Sequence, residues 1–224
     1  MRKILLSVML LAVLSAASAF AFDPEELNRI TFVNSTGAKI QMIFLSPGDS
    51  EFWGPDIIGA DYVLKDGGSI RYYVHYPQSS FNFDVLATDD AGRQFVHRNL
   101  KMVDGKEQTI TLTRKGLDST ATEFSLATLE VENDTGNEIQ YLFISPADSD
   151  AWGADLLDAE STLADGDSHA IVIPVGKQKA PYNLFAQDGE GRSYFFNVTI
   201  DPSKGKEFTV SIEKGDLQLP NGGE

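Results

Sequence analysis

The chain has 224 residues, with 18 Lys and Arg against 33 Asp and Glu, a formal net charge of −15, and no cysteine. That balance excludes nucleic acid and anionic membrane surfaces as natural partners and suits basic proteins, cations or plain solubility. The missing cysteine excludes disulfides and thiol nucleophiles, so the fold must rest on its apolar core.

The chain opens Met1-Arg2-Lys3, continues apolar from Ile4 to Ala17 and passes through small residues to Ala21. A basic start, an apolar stretch and A-x-A sites describe a secretory signal peptide over residues 1–21. The stretch is shorter than the ~20 apolar residues of a membrane helix, so no span is expected after cleavage. Cysteine-free export fits the periplasm or outer surface of a bacterium. Loss of Arg2 and Lys3 leaves 16 basic and 33 acidic residues, a net charge of −17.

From Ile30 to Leu100 each residue n matches n+99 without a gap, and 22 of the 71 positions are identical. The most alike stretches are Ser46 to Ile58 and Ser145 to Leu157, with seven of thirteen positions identical and the only two tryptophans, Trp53 and Trp152, inside them. Such a period marks a duplicated unit. It predicts an all-β chain of two tandem antiparallel β-sandwich repeats over residues 22–113 and 128–214, a linker over 114–127 and a disordered tail over 215–224.

Each unit begins with a strand of period two, Ile30 and Phe32 or Leu129 and Val131, and ends at Asn34-Ser35-Thr36-Gly37 or Asn133-Asp134-Thr135-Gly136. Asn and Gly tolerate positive φ, so these stretches read as hairpin turns, with Asn34, Gly37, Asn133 and Gly136 as structural residues. The next strand, Ile40 to Leu45 or Ile139 to Ile144, is almost continuously apolar and should be buried on both faces.

Ser-Pro then stops the strand. Asp49 or Ser50, and Asp148 or Ser149, are placed to cap a short helical corner carrying Trp53 or Trp152, each a plug over the end of its sandwich. Strands through Tyr72, Val74 and Tyr76, then Phe83 and Val85, follow in the first unit, and through Ile171, Ile173 and Val175, then Tyr182 and Leu184, in the second. A D-x-x-G-R hairpin at Asp89 to Arg93 and at Asp188 to Arg192 leads to the closing strands.

The search for chemistry finds little. His75, His97 and His169 are matched by Pro174, Phe196 and Ile70, and no two share a metal-ligand spacing. No Gly-x-Ser-x-Gly elbow or phosphate loop occurs. Acids retained in both copies are Asp49/Asp148, Asp56/Asp155, Asp66/Asp165 and Asp89/Asp188. One reading makes the corner a calcium site of Asp148, Asp150 and Asp155, with Asp49 and Asp56 as the first copy's equivalents, because hard oxygen ligands from one loop suit that ion. The other makes these aspartates caps for loop amides, with Arg93 and Arg192 pairing to them. No other cofactor is implied. Aromatic residues crowd positions 72–83, a surface for packing between units or subunits, or for stacking on a sugar.

The frame Asn-x-Thr-Gly-x-x-Ile, Ser-Pro and Trp-Gly-x-Asp resembles a module of poorly characterised exported bacterial proteins. It is carried by Asn34, Gly37, Ile40, Ser46, Pro47, Trp53, Gly54 and Asp56, and by Asn133, Gly136, Ile139, Ser145, Pro146, Trp152, Gly153 and Asp155. The resemblance implies fold and compartment, with no activity attached.

Three functional readings follow. The first is a non-enzymatic structural or protein-binding module of the cell envelope, with a protein partner or self-association. The second is a calcium-dependent or carbohydrate-binding module, and the third an envelope hydrolase using carboxylates. From Ile30 to Thr113 there are ten acidic and seven basic residues, and from Leu129 to Ile212 fifteen and five, so contacts through negative charge belong mainly to the second unit.

Overall fold

A computed structural model describes residues 27–76, 79–118, 124–157 and 161–218. The signal peptide and residues 119–123 and 219–224 of the linker and tail lie outside the described residues. Those described contain no α-helix, and no helix long and apolar enough to cross a membrane.

The first half contributes β1 (Asn28–Ser35), β2 (Ile40–Pro47), β3 (Ser69–His75), β4 (Ser80–Asp89), β5 (Gln94–Val103), β6 (Gln108–Thr113) and β7 (Leu117–Asp118). The second contributes β8 (Ser125–Asp134), β9 (Ile139–Pro146), β10 (Gly153–Ala154), β11 (Ser168–Val175), β12 (Ala180–Asp188), β13 (Ser193–Ile200) and β14 (Glu207–Glu213). They form four sheets in the orders β10-β3-β1-β6, β2-β4-β5-β7, β11-β8-β14 and β13-β12-β9.

Not all pairing is antiparallel. β6 runs parallel to β1, with Phe32 opposite Ile110, and β14 parallel to β8, with Val131 opposite Val210. Each of these last strands arrives from the opposite sheet rather than through a tight hairpin, so nothing forces reversal against its neighbour.

Alternation in β1 sends Ile30 and Phe32 to full burial, and Leu129 and Val131 do the same in β8. In β2, Ile43, Phe44 and Leu45 are all buried. Ile43 and Leu45 belong to the main core, whereas Phe44 meets Phe124 of the second half, ring centroids 5.6 Å apart. The unbroken apolar run thus has a physical reason: the outer face of its sheet is covered by the other half.

Two boundaries differ from those read in the sequence. Arg114–Gly116 forms a 3₁₀ turn and β7 pairs with β5, Phe95 opposite Leu117; Ser125 to Ala127 already belong to β8. At the other end Lys214–Asp216 forms a 3₁₀ turn and Leu217 bridges Tyr194. The polar composition concealed a closing element whose one apolar anchor, Leu117 or Leu217, recurs at a spacing of 100.

Candidate functional site

The duplicated corner holds no helical turn of the kind that the capping residues imply: the first copy is irregular and the second contains only the two-residue β10. Its amides find partners on neighbouring strands instead of four residues back. Gly54 N–H donates to Ser46 Oγ at 2.6 Å and Ile57 N–H to the Ile43 carbonyl at 2.8 Å. In the second copy Ser145 Oγ donates to the Ala151 carbonyl, and Leu156 N–H to the Leu142 carbonyl at 2.8 Å.

Asp56 and Asp155 do the same work in the two copies. Asp56 Oδ1 accepts from Ile43 N–H at 2.8 Å and from Ile58 N–H at 3.3 Å, and Asp155 Oδ1 from Leu142 N–H at 3.0 Å and Leu157 N–H at 3.2 Å. Both are buried. Asp56 Oδ2 has no hydrogen-bond partner among the described residues. Burial therefore dominates its ionisation and pushes its pKa up to about 7, against the smaller pull of the two amides. The copies part company here, since Tyr141 lies near enough to Asp155 for the carboxylate to add to the burial that raises its pKa, and the matched residue is Met42.

The other proposed calcium ligands go elsewhere. Asp148 is exposed and reaches across to the first corner, where Oδ1 accepts from Ser50 Oγ at 2.7 Å and Oδ2 from Glu51 N–H at 2.9 Å. Asp49 and Asp150 are exposed. The structure does not bring Asp148, Asp150 and Asp155 together, and among the described residues no three His, Asp or Glu side chains form a group able to hold a metal.

The remaining repeated acids serve turns. Asp66 Oδ1 accepts from Gly37 N–H at 2.8 Å and Asp165 Oδ1 from Gly136 N–H at 2.6 Å; the two glycines sit at φ +76° and +79°. Asn34 Nδ2 donates to the carbonyls of Ala38 and Leu64, both at 2.8 Å, and Asn133 repeats this with Asn137 and Leu163. Asp89 Oδ2 accepts from Arg93 Nε at 2.6 Å and Asp188 Oδ2 from Arg192 Nε at 2.7 Å. Burial alone would raise both carboxyls, but the hydrogen bonds from Arg93 and Arg192 outweigh it and hold them below the usual range.

The aromatic residues divide between two places. Tyr73, Tyr141 and Trp152 pack around buried Leu27, Phe143 and Phe185, a cluster built from both halves. Trp152 lies 5.0 Å from Phe185 and 5.7 Å from Phe195, centroid to centroid. Trp53 instead has the Arg98 guanidinium 5.6 Å from its ring centre, and its carbonyl accepts from Tyr182 Oη of the other half at 2.9 Å. Arg98 also pairs with Asp84 at 2.8 Å. Reading the sequence for repeated residues could not find this group, because Asp84 and Arg98 are matched by Asn183 and Asn197. His75 packs edge-on to Phe143 and His97 lies against Gly116, with burial lowering the pKa of both.

No family model matches the chain. It is 25% identical over 198 residues to axial budding pattern protein 2 of Saccharomyces cerevisiae, which covers 82% of this chain and 23% of that protein. The chain thus spans less than a quarter of that curated relative. Among solved structures it is similar to a protein from Eubacterium rectale determined by NMR, with 21% identity, 46% of this chain and 97% of that one covered, and a TM-score of 0.32. It is also similar to a family 26 carbohydrate-binding module from Eubacterium rectale in complex with maltoheptaose, with 15% identity, coverage of 88% and 98%, and a TM-score of 0.26. Scores this low give the likenesses no functional weight.

Proposed function

We propose that the chain is a non-enzymatic binding module of the bacterial cell envelope, built from two copies of one β-sandwich and presenting an acidic surface to a protein partner. The observation that carries this reading is the employment of the repeated carboxylates. Asp56, Asp66 and Asp89 each hold amides of their own half, as do Asp155, Asp165 and Asp188. A group engaged in holding loop amides is not free to converge on a substrate or ion. What remains for recognition is charge, fifteen acidic against five basic residues between Leu129 and Ile212. The leader sequence and the absence of cysteine support the compartment.

The test is affinity capture of envelope proteins on the mature chain. A specific partner should elute as salt rises, because attraction between exposed charges is screened, and should be lost when Glu130, Glu132 and Asp134 of β8 and Glu207 of β14 are changed to amides. Turnover of any substrate that disappears on changing a single polar residue would overturn the reading. The carbohydrate alternative is favoured by one group in the first half, Trp53 with Arg98 and Asp84.

A further inference from the structure

The two halves differ where the fifth strand of the first passes its tryptophan. In the second half β12 and β13 pair without a break, Asn183 opposite Asn197 and Leu184 opposite Phe196. In the first the register between β4 and β5 shifts from Phe83 to Val85, taking Asp84 out of the ladder. Asn99, matched by Val198, takes φ +55° there. Asparagine tolerates left-handed backbone without preferring it, and bulges of this kind re-aim side chains beside binding sites.

Here the bulge assembles three side chains. Asn99 N–H donates to Asp84 Oδ1 at 2.8 Å and Arg98 Nη1 to Asp84 Oδ2 at 2.8 Å, while the guanidinium reaches the face of Trp53. The indole is half-buried and its backbone is fixed by Tyr182. In the second half the indole packs with Phe185 and Phe195. The matched residues Leu86 and Val96 are smaller and aliphatic.

We propose that Trp53, Arg98 and Asp84 form a binding site for a neutral sugar residue of an oligosaccharide. A sugar ring presents an apolar C–H face, which packs on an indole, and neighbouring hydroxyls that both donate and accept. Asp84 supplies acceptors and Arg98 donors in a fixed fork, each already oriented by the bulge, so little ordering remains to be done on binding. The ion pair is neutral as a unit and the chain carries −15 overall, which disfavours anionic ligands. Binding at this site does not depend on the partner proposed for the acidic surface of the second half.

The experiment is a tryptophan-fluorescence titration of the mature chain with maltoheptaose, cellohexaose and chitohexaose. Trp152→Phe leaves Trp53 as the sole indole and should retain a saturable change with at least one of these sugars. Arg98→Ala and Asp84→Asn should each weaken it by roughly tenfold or more, the loss expected when a charged hydrogen-bonding partner is removed. Isothermal titration of the unsubstituted chain and of Arg98→Lys, which keeps the charge but loses the fork, gives the same comparison if Trp152→Phe does not fold. Absence of saturable binding to all three sugars overturns the proposal. So does parent-like affinity in both Arg98→Ala and Asp84→Asn, or a response confined to a lysine-rich peptide.

Discussion

The backbone N–H of Asp56 donates to the carbonyl of Val172 in the other half at 2.8 Å, and ninety-nine residues further on the N–H of Asp155 donates to the carbonyl of Tyr73 at 2.9 Å. The junction is therefore reciprocal, each corner docked on the third long strand of its counterpart, the geometry of a two-fold dimer enclosed in one chain. β10 extends the contact by pairing with β3, Gly153 opposite His75. Cleavage of an engineered protease site within residues 119–123 should leave the two fragments co-eluting in size-exclusion chromatography and unfolding in one transition. Separate elution would mean that the connection, not the junction, holds the halves together.

Asp56 should make stability fall as pH rises. Its pKa is near 7 in the folded chain against an ordinary 3.8, so between those values the folded state binds the extra proton. Stability conferred by the protonated carboxyl is then complete below the unfolded value and lost as pH climbs to the folded one. The full change amounts to roughly 4 kcal/mol. Urea unfolding at a series of pH values should show this decline, and Asp56→Asn should flatten it.

Asp89 and Asp188 bend the profile the other way. Their folded pKa values are depressed, so their contribution is present above the ordinary carboxylate pKa and disappears as pH falls through the folded value. The two opposing limbs meet at the ordinary carboxylate pKa, so these groups place maximum stability at about pH 4. Removal of Asp188 by alanine should shrink the acid limb and leave the part that Asp201 contributes through Ser203 and Lys179.

The two tryptophans should not be equivalent. Trp152 packs in an aromatic cluster shared by both halves, and its replacement by alanine should cost about 3 to 5 kcal/mol. Trp53, outside that cluster and beside an exposed arginine, should cost less by at least about 1 kcal/mol because fewer contacts are lost. Denaturant midpoints of the two variants decide the matter.

Asp148 should act as a bracket between halves rather than as a calcium ligand. Its two acceptor bonds reach Ser50 and Glu51, and Asp148→Ala should cost about 1 to 2 kcal/mol whether or not calcium is present. A melting midpoint that rises with millimolar calcium, and loses that rise in Asp148→Asn, would reverse the assignment, because a ligand of the folded state must stabilise it.

Much of the local structure was legible in the sequence. Asn34, Thr36 and Gly37 form a tight turn through bonds among near neighbours, as do Asn133, Thr135 and Gly136, but not the hairpin read in the sequence: β1 and β2 lie in different sheets, as do β8 and β9, so each turn carries the chain from one sheet to the other. Alternation placed Ile30 and Phe32 in the core for the same short-range reason. The repeated glycine of the corner shows where such reading stops. At Gly54 a Cβ would collide with the Leu45 carbonyl, whereas Gly153 has open space but sits at φ +76°, so one residue type is needed in the two copies for different causes.

The repeat, the all-β character and the turns were set by the sequence itself, since they depend on period, propensity and neighbours along the chain. Only the tertiary structure decided that the last strands run parallel, that the outer faces of β2 and β9 are covered from the other half, and that the repeated aspartates do not converge. It also decided that one tryptophan is packed and the other left beside Arg98. Such outcomes depend on which surfaces meet across the junction, and residues such as Leu86 and Phe185, or Val96 and Phe195, exert their differences only through neighbours far away in sequence.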